Sequence, residues 1–165
     1  MVYKLLIYFY LNSKYNGGTN MNLFLNENIS IDDNLKLMAI VNEDVLLREE
    51  LGLTKLYKNS EDFRNIGMKW ASSHNGNIYA IIYNNEAIGV VSLSSIDKHK
   101  QSSNFGFWIK SEYWNTEIEY SAFALLREKA KDVGIKKFKQ REFDNTEKRI
   151  INSGKLNIEA SELII

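Results

Sequence analysis

Apolar positions along the chain alternate between helical and strand spacing, the pattern of mixed helices and strands. From Met21 onward, Asn22 to Asn28 predicts a short first strand. Asp32 or Asp33 can cap a helix carrying Leu35, Met38, Val45 and Leu46, with an interruption near Asn42. Ser60 caps a clearer helix, in which Phe63, Ile66, Gly67, Trp70 and Ala71 share one apolar face and Asn75-Gly76 ends the run. Ile78 to Tyr83 and Ala87 to Ser94 are rich in β-formers and flank Asn84-Asn85, a two-residue loop that tolerates positive φ. A hairpin is the expectation there, and Gln101 to Ile109 adds a third member to the meander.

A long helix follows from Thr116, with Ile118, Ala122, Leu125, Leu126, Ala130 and Val133 on one side and Gly134 as its C-terminal stop. Lys136 to Phe143 reads as a strand, Asn145 to Ser153 as a short helix and Leu156 to Ile165 as a last strand. The Lys136 strand is polar, with Lys137, Lys139 and Arg141 on one face and Gln140 and Glu142 on the other, which suits an exposed position. Leu163, Ile164 and Ile165 are expected to pair within a homodimer or to tuck against residues 136–143.

The first twenty residues stand apart. Leu5-Leu6-Ile7-Tyr8-Phe9-Tyr10-Leu11 is too short for a bilayer, which needs about 20 apolar residues, and no small-residue cleavage site follows it. Gly17-Gly18-Thr19-Asn20-Met21 can be encoded as a ribosome-binding site before a start codon. Residues 1–20 are therefore read as a leader or non-native extension and 21–165 as one domain; an added edge strand is the alternative.

Composition narrows the chemistry. At 165 residues, 44% hydrophobic and 25% charged, the chain suits a single soluble domain with a sizeable core. Lys+Arg and Asp+Glu balance at 21 each, so neither nucleic acid nor an anionic membrane is an expected partner, and a cytoplasmic location is expected. The absence of cysteine excludes disulfides and thiolate catalysis. His74 and His99 lie in polar surroundings without ligand spacing, so no metal is expected.

The segment Trp108-Ile109-Lys110-Ser111-Glu112-Tyr113-Trp114-Asn115-Thr116-Glu117-Ile118-Glu119 joins an apolar strand to a helix N-terminus, where backbone amides hold phosphates in many folds. It resembles the coenzyme A loop of the GNAT superfamily of N-acetyltransferases, with the closest likeness to the branch that modifies ribosomal-protein N-termini. Glu86-Ala87-Ile88-Gly89, Gly106-Phe107-Trp108-Ile109 and Asp144-Asn145-Thr146 add local likenesses in the family's order. The resemblance implies an α/β (α+β) fold with a mixed, mainly antiparallel central sheet and helices on both faces. The family's final strand would be missing.

The resemblance also implies acetyl-CoA as cofactor and a peptide or small-molecule primary amine as acceptor. It puts Trp108 and Ile109 on the pantetheine arm, Asn115, Thr116, Glu117, Ile118 and Glu119 at the diphosphate, and Asn145 near the thiolate. The two small residues of the family's turn fall on Glu117 and Glu119. Side chains there block close approach of a phosphate, and carboxylates repel it. Thr116 and Glu119 further read as a capping box that uses the helix's own amides. Asn104 stands where the branch often has an acidic base, no tyrosine follows Tyr120, and Glu147-Lys148-Arg149 occupies a region where the family often has a serine. Glu112 and Tyr113 match family residues but read equally as a strand-end charge and a packed ring. No catalytic residue is assigned. Two functions stand side by side: an N-acetyltransferase with an impaired cofactor site, and a catalytically inactive GNAT-fold binding protein.

Overall fold

Among the described residues, six strands lie in one sheet in chain order: β1 (Leu23–Asn26), β2 (Asn77–Tyr83), β3 (Glu86–Asp97), β4 (Ser102–Ile109), β5 (Lys137–Phe138) and β6 (Leu163–Ile164). All neighbours are antiparallel except β4 and β5, which run parallel. The structure is a computed structural model that describes residues 22–139 and the β6 pair. The expected extension over residues 1–20, the expected helix from Asn145 and the site residue Asn145 itself lie outside the described residues. The expectation for the C-terminus resolves toward the intramolecular arrangement, with Lys137 facing Ile164 and Phe138 facing Leu163.

The meander forms as its sequence predicts. Asn84 and Asn85 both adopt positive φ, 49° and 66°, which closes a tight hairpin whose twist matches that of the strands. Alternation along the strands then builds two cores. On one face Tyr79, Ile81, Val91, Phe105, Phe107 and Ile109 pack against Ala122, Phe123, Leu126 and Ala130 of α4 (Glu117–Asp132). Phe123 meets Phe105 at 5.3 Å and Phe138 at 6.4 Å between ring centroids, contacts worth about 0.5–1.5 kcal/mol each beyond area burial. Gly134 ends this helix at φ 82°, as expected of a left-handed C-terminal stop.

The opposite face carries α1 (Ile31–Glu43), α2 (Val45–Glu50) and α3 (Ser60–Ser73). Here the helix boundaries differ from expectation. Ser30, not Asp32 or Asp33, caps α1, because its hydroxyl accepts from Asp33 N–H while the Asp33 carboxylate accepts from Ser30 N–H. The break falls at Asp44 rather than Asn42, since Asp44 leaves helical geometry to cap α2 through Leu47 N–H. That break resets the helical phase. Leu37, Val41 and Leu47 face inward, while Leu35, Val45 and Leu46 are 46%, 64% and 57% exposed. Asn59 replaces Ser60 as the cap of α3, accepting from Asp62 N–H at 2.7 Å. No residue of α3 is fully buried, so its apolar face is only half covered.

Candidate functional site

Ladder alternation fixes the direction of each backbone group on β4. Lys110 N–H donates to Ile88 O at 2.9 Å and Trp108 lies opposite Val90, so even-numbered residues turn toward β3. Odd-numbered residues turn the other way, as Lys139 N–H donating to Ser103 O at 2.7 Å shows. Among the described residues, β5 registers with β4 only at Ser102 and Ser103. Phe107 and Ile109 therefore face a side of β4 where no described strand pairs with them. The Trp114 indole N–H donates to Ile109 O at 3.0 Å, and Ile109 N–H and both backbone groups of Phe107 turn to the same side, away from β3. Trp108 differs from Ile109. Its backbone groups belong to the β3 ladder, and its ring packs on the α1 and α3 face.

Gly89 holds this edge close to β3. A methyl group there would collide with Trp108 O and meet Ile109 Cα at 2.8 Å. A hydrogen bond far apart in sequence then ties the loop after β4 to the helical layer. Asp44 Oδ2 accepts from Ser111 N–H at 2.6 Å while its Oδ1 caps α2. Sequence reading passed over Asp44, although an acid between two apolar helical runs was a signal that the chain stops and restarts there.

Ser111–Tyr113 make one 3-10 turn, after which Asn115 takes a left-handed φ of 60°, a conformation asparagine tolerates. Thr116 occupies the N-cap position but makes no capping bond to the helix; its hydroxyl donates to Tyr113 O at 2.6 Å. The expected capping box is therefore not formed, since neither of its two reciprocal bonds is present. Glu119 does fold back, yet Oε2 accepts from Asn115 N–H at 2.6 Å rather than from Thr116. Thr116 N–H already donates to Tyr113 O, so the carboxylate reaches one residue further back. Glu119 is 0% exposed, Glu117 stands exposed at the first position of α4, and Ile118 packs against the α4-side core.

Two titratable groups border the loop. Lys110 Nζ donates to Glu112 at 2.8 Å and holds that carboxyl below its usual range. Burial, reinforced by Glu112, pushes the Tyr113 phenol up to about 12, and its ring meets Tyr83 edge-on at 5.8 Å. Asn104 sits half-buried on β4 opposite Ser94. Just after β5, Lys139 is half-buried and donates from Nζ to Ser95 O, a structural use of a charge that could otherwise have faced a polyanion. Among the described residues, no cluster of His, Asp or Glu could hold a metal, and no helix is long and apolar enough to cross a membrane.

The profile of the acetyltransferase (GNAT) domain matches residues 31–147, more than half of the chain. None of the curated protein sequences matches it. Among solved structures, the ribosomal L7/L12 α-N-protein acetyltransferase RimL in complex with coenzyme A is similar at 20% identity and a TM-score of 0.56, over 70% of this chain and 68% of that one. The microcin C7 self-immunity acetyltransferase MccE, in complex with acetyl-CoA and AMP, is similar at 21% identity and a TM-score of 0.53, over 76% and 69%. A putative ribosomal-protein-serine acetyltransferase from Vibrio cholerae is similar at 13% identity and a TM-score of 0.60, over 80% and 78%. At these identities the likeness is one of fold.

Proposed function

The chain belongs to the GNAT acetyltransferase domain family, and from that premise we propose an N-acetyltransferase-type protein, built to pass an acyl group from a thioester to a primary amine, that binds acetyl-CoA weakly. The observation that carries this reading is the contrast between the two halves of the donor site. On the side of β4 away from β3, Ile109 N–H and the backbone of Phe107 offer the hydrogen-bonding groups that an extended arm containing amides would use. The neighbouring loop does not fit a diphosphate. Asn115 N–H already donates to the buried Glu119 side chain, and Glu117 stands exposed at the first position of α4. A unit charge about 4 Å from a phosphate oxygen costs up to about 4 kcal/mol at an effective dielectric of about 20. Micromolar binding is only about 8 kcal/mol in total, so a penalty of that size moves affinity toward the millimolar range.

The acceptor is proposed to be a peptide N-terminus or a small amine, by analogy with the fold relatives whose names specify ribosomal proteins. Incubation with acetyl-CoA and peptides carrying free N-termini, followed by mass spectrometry, tests it. Slow transfer that does not saturate with acetyl-CoA is expected. The absence of any acetylated product at millimolar donor would overturn the enzymatic reading.

A specific observation favours the second reading, an inactive binding protein. Glu112 is held low by Lys110 and Tyr113 is pushed to about 12, so neither is poised to exchange a proton at neutral pH.

A further inference from the structure

The segment between α2 and α3 has no regular structure, yet side chains of the two preceding helices pin it. Asn42 clamps both backbone groups of Tyr57: its Nδ2 donates to Tyr57 O and its Oδ1 accepts from Tyr57 N–H, each at 2.8 Å. The Arg48 guanidinium donates to Val41 O at 3.1 Å, Leu53 O at 3.0 Å and Lys55 O at 3.3 Å, which ties the segment to α1. The Tyr57 ring meets Phe63 edge-on at 5.0 Å, while Leu56 and Lys58 on either side of it are exposed. Leu56 and Ile66 of α3 line one cavity of about 380 Å³ and are 62% and 52% exposed. Ile66 belongs to the apolar face that the sequence predicts for α3, but the fold leaves it half open to water.

We propose that this trough is a docking site for an acidic peptide segment of a protein partner, which seats one apolar side chain between Leu56 and Ile66 and sets carboxylates against Lys58 and Lys69. The inference goes beyond acyl transfer, since none of these residues belongs to β4, to the loop after it or to α4. Charge selects the sign of the partner. Lys58 and Lys69 line the cavity, and among the described residues no carboxylate lies within ion-pair distance of either. Asp62, the acid of the lining, turns its carboxylate back to Asn59, whose Nδ2 donates to it at 2.7 Å. At the neighbouring exposed positions, Lys55 and Arg64 outnumber Glu61. A positive rim around an apolar floor complements acids that flank an apolar residue. Shape selects a peptide among anions. The cavity is at the small end of the range for ligand sites and its apolar walls stay exposed, so a small molecule there would remain largely in water. A peptide adds contacts on both sides of the seated side chain, and the Asn65 amide in the lining can pair with its backbone. Because Asn42 and Arg48 already hold the Tyr57 side of the trough, little ordering remains for the protein on binding.

The test uses isotope-labelled full-length protein and a synthetic peptide in which one leucine is flanked by aspartates and glutamates. NMR titration should shift the amide resonances of Lys58, Ile66 and Lys69, with a dissociation constant on the order of 100 μM at about 0.05 M salt that weakens several-fold by about 0.5 M. Lys58→Glu combined with Lys69→Glu should weaken binding about tenfold or more. Ile66→Ser, or a peptide with serine in place of its leucine, should weaken it about fivefold. These three positions are exposed, so the variants should melt close to wild type. No shift at these amides up to about 1 mM peptide would overturn the proposal. So would equal binding of a peptide with lysines in place of its acids, or binding that the double variant leaves unchanged. Octanoate or phosphatidylserine vesicles that engage these amides when the peptide does not would overturn the choice of occupant.

Discussion

Replacing Asp44 separates two roles that its carboxylate holds at once. One oxygen accepts from Leu47 N–H at 3.1 Å and caps α2; the other accepts from Ser111 N–H at 2.6 Å and anchors the loop after β4. Loss of an N-terminal cap costs about 1 kcal/mol. A hydrogen bond to a charged group contributes about 1.5–3 kcal/mol, toward the lower end here because Asp44 is only half-buried and water can replace part of it. Asp44→Ala should therefore destabilise the protein by about 2–3 kcal/mol, or roughly 4–12 °C in melting temperature for a domain of this size. Asp44→Ser keeps a cap oxygen but is too short to hold Ser111, so it should lose about 1 kcal/mol less than alanine does. Thermal melts of both variants, with amide hydrogen exchange read at Ser111, provide the assay. Both substitutions should accelerate exchange at Ser111, whereas only alanine should accelerate it at Leu47. An Asp44→Ala protein within about 0.5 kcal/mol of wild type, with Ser111 still protected, would refute the reasoning.

Other sites give independent checks. Gly89→Ala should cost about 3 kcal/mol or more, since its methyl group would meet backbone on β4 rather than a yielding side chain; a melt unchanged from wild type would contradict the described register. Phe123→Ala, at the centre of the aromatic cluster with Phe105, Phe107 and Phe138, should cost about 3–5 kcal/mol by denaturant unfolding. Tyr113 has a folded-state pKa above its ordinary value, so its contribution is complete below pH 10 and is lost as pH rises toward about 12. Wild type should lose stability across that window more steeply than Tyr113→Phe, and parallel curves would contradict the burial of the phenol.

The legible parts of the sequence were those with strictly local causes. Asn84-Asn85 announces its own turn, and Gly134 its helix stop, because positive φ is a property of the residue and its neighbours. The strands of the meander followed from β-formers flanking that turn. The helical layer was less legible. Leu35 and Leu37 are equally apolar, and only the sheet floor of Ala80, Ile82 and Ala87 decides that Leu37 faces inward. The restart at Asp44 then shifts every later apolar position in the layer. In the loop, the sequence announced a capping box but could not show that Tyr113 O would take both the hydroxyl and the N–H of Thr116. That competition sends Glu119 to Asn115 and buries it, which makes one of the two expected carboxylates an internal ligand. Phe107 escaped notice because its contribution is a backbone direction, which no side chain advertises.

If Glu117 and Glu119 keep a diphosphate out of the loop, removing them should open it to acetyl-CoA. Isothermal titration of acetyl-CoA into wild type and into the double variant Glu117→Gly with Glu119→Ala tests it most directly. Wild-type dissociation weaker than about 1 mM is expected, with an improvement of about tenfold or more in the variant. The same change should lower stability by about 1–3 kcal/mol through loss of the Asn115 bond, so that affinity and stability move in opposite directions. Micromolar binding by the wild-type protein, or a variant that binds no better, would contradict it.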